Sequence, residues 1–234
     1  MADGTSPDQS RSDAVASPKS DTVPAPAVRR LSLYLRELEL LLEQNKKTIS
    51  SRQLGKTLGL TDAQVRKDLA YFGQFGHPGV GYRVDELIVR LRRIFGTDRT
   101  WNALLVGVGN LGQALLSYRG FAKQGFRIVA VFDNHPSKIG QRVEAESECE
   151  IFPMDQLAEV IFERDIQMAI VTVPANVAQS VIDVLVAAGI KGILNFAPAA
   201  ISVPDHVSMA TVDLAIRLEQ LAFRISTNQV AREQ

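Results

Sequence analysis

The amino-acid sequence predicts an α/β protein with an N-terminal winged helix-turn-helix domain, a Rossmann-like doubly wound parallel sheet and a C-terminal helix. Three observations support this prediction. Two short helical segments separated only by Gly59-Leu60 precede a glycine-rich loop, and the pattern GxGxxG at Gly107 to Gly112 stands between an apolar strand and a helix. The charge of the chain also changes sign near residue 99.

The composition is that of a globular protein. The chain has 234 residues, 46% of them hydrophobic, which is enough for two domains that each bury a core. Its single cysteine, Cys149, excludes an intramolecular disulfide and a cysteine-rich zinc site. Residues 1–27 are rich in Ser, Asp, Pro and Ala, which predicts a disordered tail. Because no signal peptide or membrane span is recognisable, we expect a cytoplasmic protein without a membrane partner.

The formal net charge of zero conceals two oppositely charged parts. Residues 29–99 carry 14 Lys and Arg against 8 Asp and Glu, whereas residues 100–234 carry 10 against 14. A basic domain followed by an acidic one indicates that a polyanion binds the N-terminal part. The alternative is chance clustering of solvated surface charge.

The N-terminal domain, placed at residues 28–98, begins with an amphipathic helix. Apolar side chains recur every three or four residues from Val28 to Leu42. Two shorter helices are predicted over 52–58 and 62–72, each preceded by a Ser or Thr that can cap it and closed by a glycine. Because only two residues separate these helices, they are predicted to form a helix-turn-helix.

The second short helix has the composition of a recognition helix. Val65, Leu69 and Phe72 share one face and are expected to pack on the core. Its polar and basic side chains can reach base edges and phosphates if the helix enters the major groove of DNA. Residues 75–82, with three glycines and one proline, are typical of the hairpin-like wing beside such a helix. We therefore predict that this domain binds double-stranded DNA, with six candidate contact residues: Ser51, Gln64, Arg66, Lys67, Tyr71 and His77.

The second domain, placed at residues 99–210, begins with a dinucleotide-binding pattern. In the glycine loop the first glycine permits the turn, the second lets the backbone approach a pyrophosphate, and the third allows close contact between helix and strand. The strand 127–132 ends at Asp133, 21 residues beyond Gly112, where a carboxylate accepts the ribose hydroxyls of the adenosine half. Such a carboxylate also repels a 2′-phosphate. The pattern therefore predicts NAD or NADH in preference to NADP.

Two later strands are expected to border the same ligand. Ligands of doubly wound sheets bind beyond the carboxyl ends of the strands, so the segments from Thr172 to Pro174 and from Asn195 to Pro198 should border the cofactor. Plain packing is the alternative for the proline and the phenylalanine at these ends. The candidate cofactor residues from these patterns are Gly107, Val108, Gly109, Asn110, Leu111, Gly112, Asp133, Thr172, Pro174 and Phe196.

No residue is assigned a catalytic role. A dehydrogenase needs a proton donor or acceptor near the hydride site and a pocket for a second substrate. The three histidines do not suit this role, because His77 lies in the predicted wing, His135 just past Asp133 and His206 in a surface-like loop. An NAD-dependent oxidoreductase with an accessory helical domain is the main alternative. A CoA-binding module is a third possibility, against which the carboxylate of Asp133 counts.

The C-terminal segment, residues 211–234, is predicted to be a helix and a tail. Its apolar side chains form a stripe that is too long to leave in water, which suggests docking on another subunit. Packing on its own domain is the alternative. The stripe consists of Leu214, Leu218, Leu221, Ala222 and Ile225.

Taken together, these motifs resemble the Rex family of bacterial redox-sensing transcriptional repressors. The resemblance runs from about Arg29 to Ile225. It rests on Arg30-Leu31 with Tyr34-Leu35-Arg36, on Gln64-Val65-Arg66-Lys67-Asp68-Leu69 with Tyr71-Phe72-Gly73, on Gly79-Val80-Gly81-Tyr82, on the glycine loop, and on the run from Ala188 to Pro198.

The resemblance implies a homodimer that binds operator DNA, with NAD or NADH as ligand and signal in each Rossmann domain. It implies that the C-terminal helix is a dimer-exchange helix, that the protein represses transcription, and that it leaves the operator when NADH replaces NAD. It also implies that Arg36, Tyr118 and Asp213 couple the cofactor to the DNA-binding domain, with Tyr118 near the cofactor as well. A charge-assisted bond between Arg36 and Asp213 is a plausible two-state element.

The chain departs from the family pattern at two places. Family wings usually carry Lys or Arg where this chain has His77-Pro78, and paired glycines often follow the second strand where this chain has the acidic segment Glu144 to Glu148. The first departure puts a charged contact from the wing to the minor groove in doubt. The second bears on cofactor affinity, in a direction that the sequence leaves open.

Overall fold

A computed structural model of the protein describes residues 23–76, 80–144 and 148–230. The chain divides into two compact units, residues 1–98 and 99–234. His77 of the predicted wing, residues 1–22 of the predicted tail and residues 145–147 of the acidic segment lie outside the described ranges. Within those ranges, every helix is too short or too polar to cross a membrane.

Within the residues that the structure describes, the first unit has four helices and a two-stranded antiparallel sheet. The strands pair with Thr48 opposite Arg83 and Ile49 opposite Tyr82. In chain order the elements are α1 (Ala25–Glu43), β1 (Thr48–Ile49), α2 (Ser51–Leu58), α3 (Asp62–Ala70), β2 (Tyr82–Arg83) and α4 (Val84–Phe95).

Helix α1 begins earlier than its apolar pattern predicted. It starts at Ala25 and has a proline in its first turn. Backbone N–H groups in the first turn have no acceptor within the helix, so a proline there, which lacks the N–H, costs no helical hydrogen bond. Ala27 is buried, so the ordered part of the chain extends into the segment that was predicted as tail. Side chains of α1 that include Leu31, Tyr34 and Leu38 form the centre of the core of this unit.

The helix-turn-helix follows from the predicted capping residues. Ser50 Oγ accepts a hydrogen bond from the backbone N–H of Gln53, and Oε1 of the Gln53 side chain accepts one from the backbone N–H of Ser50, which forms a capping box at the start of α2. Gly59 ends α2 in the left-handed region at φ +68°. Thr61 caps α3 by accepting from the Gln64 amide at 3.1 Å. Helix α3 ends at Ala70, two residues before its predicted end, so Phe72 packs on the core from the following turn.

The second unit is the predicted doubly wound sheet, with seven strands in the order β5-β6-β4-β3-β7-β8-β9. All neighbouring pairs are parallel except β5 and β6, which form an antiparallel edge. The strands are β3 (Trp101–Val106), β4 (Phe126–Phe132), β5 (Arg142–Glu144), β6 (Glu148–Phe152), β7 (Met168–Val171), β8 (Gly192–Asn195) and β9 (Ser208–Thr211). The helices are α5 (Asn110–Leu116), α6 (Gly120–Lys123), α7 (Leu157–Glu163), α8 (Ala175–Ala187) and α9 (Leu214–Val230), with a 3₁₀ turn at Met154–Gln156.

The central strand β3 is buried on both faces. Leu104 and Val106 belong to one apolar cluster, and Leu105 between them belongs to a second cluster on the opposite face. This two-sided burial explains why β3 is a continuous apolar run. Because β3 has β4 on one side and β7 on the other, the order of the strands reverses beside its carboxyl end, which is where doubly wound sheets bind ligands.

Candidate functional sites

The glycine loop after β3 is packed too closely for side chains at two of its three glycines. A Cβ atom on Gly107, which has φ +99°, would lie 2.8 Å from the carbonyl oxygen of Thr172. A Cβ atom on Gly112 would lie 2.1 Å from the carbonyl oxygen of Gly107. Gly109 differs, because a Cβ atom there would meet nothing within 4 Å. The outer glycines therefore allow close packing, and the middle glycine leaves open space beside the backbone.

Thr172 fastens the glycine loop to the end of β7. Its hydroxyl donates to two carbonyl oxygens, that of Gly107 at 2.7 Å and that of Val106 at 3.1 Å. Thr172 was predicted as a cofactor neighbour from its place at a strand end. The structure shows that it also holds the loop in shape.

Asp133 connects the same loop to the end of β4. Its side chain is nearly buried, at 6% exposure. It accepts hydrogen bonds from the Val108 amide at 2.8 Å, the His135 amide at 2.9 Å and the Lys138 ammonium at 3.0 Å. Burial opposes ionisation, but these donors outweigh it and lower the pKa of Asp133 below its usual range. The carboxylate is therefore an ionised acceptor at neutral pH.

A cavity of about 750 Å³ lies at the carboxyl ends of the strands. This volume is within the range of small-molecule and cofactor pockets. The predicted residues that line it are Gly107, Gly109, Asn110, Leu111, Asp133, Thr172, Pro174 and Phe196. With its open glycine and its buried acceptor, this wall fits the pyrophosphate and ribose of a dinucleotide.

Three of the predicted cofactor residues do not line this cavity. Val108 and Gly112 are buried in the packing of the loop. Tyr118 is 55% exposed after α5, with its ring edge-on to Phe121 at a centroid distance of 5.1 Å. The roles of Val108 and Gly112 in this structure are those of loop support.

The cavity has a second group of lining residues that no sequence pattern predicted. Lys138 and His135 come from the turn after β4, and the remainder come from later segments that include α8. The residues that were not predicted are Val106, Asn134, His135, Lys138, Met154, Asn176, Val177, Ser180 and Val181, whereas Val173 lies within the predicted segment from Thr172 to Pro174.

In the first unit, the five predicted DNA-contact residues that the structure describes are exposed or half-exposed. Arg66 donates to the Ser51 hydroxyl at 3.2 Å and to the Asp62 carboxylate at 2.8 Å. Lys67 lies on α3, and Tyr71 lies one turn later, directly after the last residue of the helix. Both residues are exposed. These side chains form a polar and basic surface on and beside α3.

Gln64 has a different environment. Its amide nitrogen donates to the buried carboxylate of Asp68 at 2.7 Å, and the residue is half-buried. The amide oxygen is the part of the side chain left for another partner. The assignment of Gln64 to DNA contact stays a prediction.

The three residues predicted to couple the units lie in different elements. Arg36 is exposed on α1. Asp213 is half-exposed and accepts from the Ile216 amide at 3.1 Å, at the start of α9. Tyr118 lies against the next turn, where a Cβ atom on Gly120 would come within 2.2 Å of the tyrosine ring.

Helix α9 exposes its apolar side chains. Leu218 is 67% exposed and Phe223 is 70% exposed, and the other large apolar residues of the helix from Leu214 to Ile225 are also exposed. The described part of the chain therefore leaves the predicted stripe uncovered. Phe223 and Ile216, which the predicted stripe did not include, widen the uncovered surface.

Comparison with known proteins gives matches over both units. Residues 98–199 match a family model described as "CoA binding domain", and residues 22–70 match one described as "Putative DNA-binding protein N-terminus". The redox-sensing transcriptional repressor Rex of Carboxydothermus hydrogenoformans is 49% identical over 207 residues, which cover 88% of this chain and 98% of that protein. The protein of the same name from Syntrophobacter fumaroxidans is 47% identical over 204 residues, covering 87% and 96%.

The chain belongs to the Rex family.

Solved structures of a Rex-family repressor agree with this assignment over the whole fold. A structure described as RSP in complex with NAD⁺ and operator DNA is 38% identical, with a TM-score of 0.83, and the match covers 90% of this chain and 96% of that one. A second, described as RSP in complex with NADH, is 36% identical with a TM-score of 0.80, covering 91% and 98%. The predicted combination of a DNA-binding N-terminal domain and a Rossmann-like domain is thus confirmed as the fold of a Rex protein.

Proposed function

We propose that this protein is a transcriptional repressor that senses the ratio of NADH to NAD and leaves its operator when NADH binds. The observation that supports this most directly is the cavity beside the glycine loop, in a chain whose Rex-family relatives are named repressors and were crystallised with both forms of the cofactor. These relatives are named repressors rather than enzymes, so the oxidoreductase alternative has no support among them.

The residues of the cavity have distinct roles in this proposal. Gly107 and Gly109 bring the backbone close to the pyrophosphate, and Asp133 accepts the ribose hydroxyls. Pro174 and Phe196 supply the apolar wall. The nicotinamide of the bound cofactor is either oxidised or reduced. The residues of the cavity orient the cofactor and form a site that distinguishes the two forms.

Operator binding is assigned to the first unit. Arg66 and Lys67 on α3 are the basic side chains for base edges or phosphates, with Ser51, Gln64, Tyr71 and His77 as further contacts. A dimer would place two such helices on two half-sites, and the exposed face of α9 is the surface that we assign to the second copy. We also place the protein in the cytoplasm, where both the operator and the NADH pool are found.

Arg36, Tyr118 and Asp213 are proposed to transmit the cofactor state to the DNA-binding unit. NADH shifts an equilibrium between two arrangements of the dimer only if it binds one of them more tightly. A contact that forms in one arrangement alone, such as an ion pair between Arg36 and Asp213, would provide such a difference.

The test is a titration of operator binding against the NADH to NAD ratio, with the full-length protein and a fluorescent duplex. We expect operator binding to fall as the ratio rises, and CoA at the same concentrations to have no effect. If saturating NADH leaves operator affinity unchanged, the sensing function is rejected. If CoA displaces NADH, the cavity belongs to a different ligand class.

A further inference from the structure

The recognition helix α3 carries a carboxylate that is completely buried. Asp68 is 0% exposed, although it stands in the polar run Arg66-Lys67-Asp68. Four donated hydrogen bonds converge on it. Arg30 donates to both oxygens, at 2.6 and 2.7 Å, Tyr34 donates to Oδ2 at 2.7 Å, and Gln64 donates to Oδ1 at 2.7 Å. Each oxygen therefore accepts two bonds, which uses about the full capacity of a carboxylate.

The donors keep this buried group charged. Burial opposes the ionisation of Asp68, but the bonds from Arg30, Tyr34 and Gln64 outweigh it and lower the pKa of Asp68 below its usual range. An ionised carboxylate can only accept hydrogen bonds. The amide nitrogen of Gln64 must therefore face Asp68, and its oxygen must face away.

The network connects two helices by paired contacts. Arg30 and Tyr34 are one turn apart on α1, and Gln64 and Asp68 are one turn apart on α3. Apolar packing between helices is non-directional, whereas a bidentate bond between guanidinium and carboxylate fixes geometry in a plane. The apolar core alone would leave α3 free to make small rotations about its own axis, and this network opposes them.

We propose that Asp68 is a positioning residue for operator recognition: by holding α3 on α1, it fixes the rotation at which Arg66 and Lys67 face DNA. This inference rests on the proposed operator-binding function. Asp68 itself is buried and does not contact DNA. It acts through Arg30 and Tyr34, which lie outside the recognition helix.

Asp68→Asn tests this role because electrostatic repulsion and helix positioning predict opposite changes in operator affinity. Removing a negative charge close to DNA strengthens binding if electrostatic repulsion is the main effect. The positioning role predicts that Asp68→Asn instead weakens operator binding by about tenfold or more, as expected for the loss of charge-assisted bonds. Asp62→Asn is the matched control: it removes one carboxylate from the same helix, but an exposed one that pairs with Arg66. We expect Asp62→Asn to bind operator as tightly as the wild type or more tightly.

The measurement is fluorescence anisotropy of the full-length protein with a duplex that the wild type selects from a random-sequence library. Stoichiometric titration and circular dichroism report the folded fraction, and the NADH dissociation constant reports the second unit. The expected result is folded Asp68→Asn with unchanged NADH affinity, weakened operator binding and a reduced preference for the selected duplex over a scrambled one. A folded Asp68→Asn that binds as tightly as the wild type would overturn the proposal.

Tyr34→Phe gives a second test in case Asp68→Asn fails to fold. It removes only the hydroxyl that donates to Asp68 and keeps the apolar ring in the core. We expect about a three- to fivefold loss of operator affinity in a folded protein. Operator affinity equal to that of the wild type would again overturn the proposal. A wild-type protein that selects no duplex would instead reject the proposed function itself, so the two failures are distinguishable.

Discussion

The ammonium of Lys138 lies 3.0 Å from the carboxylate of Asp133, within the cavity wall where the adenosine ribose is expected. The position of Asp133 after β4 predicts that its carboxylate repels a 2′-phosphate. A cation in direct contact with the carboxylate offsets part of that repulsion. The predicted preference for NADH over NADPH therefore depends on both residues.

Lys138→Gln is expected to widen the preference for NADH over NADPH. The substitution removes the cation that would attract a 2′-phosphate, so NADPH binding should weaken about two- to fivefold, the range of a partly exposed charge interaction. NADH binding should change less. Isothermal titration calorimetry with both nucleotides measures the ratio, and exposed Lys123, which does not line the cavity, gives the control Lys123→Gln. An unchanged ratio in Lys138→Gln would argue against this role.

Alanine at two glycines of the loop is expected to have different effects. Gly109 has φ −86° and open space around a Cβ atom, so Gly109→Ala should fold normally but lose about tenfold or more in NADH affinity, because its methyl group occupies the pyrophosphate approach. In Gly112→Ala the methyl group would collide with the backbone of Gly107, which should cost about 1–3 kcal/mol of stability. Thermal unfolding and NADH titration of both variants separate the two effects. Equal melting temperatures would contradict the packing argument.

The buried carboxylate of Asp68 predicts a dependence of stability on pH. The folded-state pKa of Asp68 lies below its ordinary value of 3.8. Its contribution to stability is therefore complete above the unfolded-state pKa and is lost as the pH falls through the folded-state pKa. Urea denaturation should show the largest stability difference between wild type and Asp68→Asn near neutral pH, and a shrinking difference below about pH 4.

Exposed Asp98 provides the control for that measurement. Asp98→Asn should be as stable as the wild type in the same urea denaturation experiment near neutral pH. A difference between wild type and Asp68→Asn that stays constant from neutral pH down to acid pH would mean that ionisation of Asp68 is not what stabilises the network.

A charge placed on the apolar surface of α9 is expected to prevent self-association. Leu218 is among the most exposed apolar residues of the helix, so Leu218→Glu should shift the protein from dimer to monomer in sedimentation velocity experiments. Gln220→Glu adds the same charge at a polar position of the same helix and should leave the dimer intact. If both variants sediment like the wild type, α9 is not the dimer contact.

Local signals in the sequence were sufficient for much of the fold and for half of the site. The caps at Ser50 and Thr61, the break at Gly59 and the glycine loop each depend on neighbours within a few residues. Strand β4 with its terminal Asp133 could be found for the same reason. The edge strand β5 and its neighbour β6 were missed because acidic side chains hid the short alternation around Cys149 and Ile151, which are buried.

The remaining features depend on contacts between distant parts of the chain. The residues around Asp68 in α3 predict a solvated charge, because its main partner, Arg30, is 38 residues away in the sequence. The wall of the cavity includes Met154 and Ser180, which meet the glycine loop only after the sheet has formed. Side-chain pairing between two helices and the convergence of several loops leave no periodic pattern in a single sequence. Neither could therefore be predicted from it.

The uncovered apolar surface of α9 has a consequence for how the protein tolerates heat and dilution. Whatever covers those side chains adds its binding free energy to the stability of the folded state by mass action. If a second copy covers them, stability is no longer a fixed property of the chain, and the melting temperature should rise with protein concentration. A cell that makes little of this protein would then hold it in a less stable form than a cell that makes much.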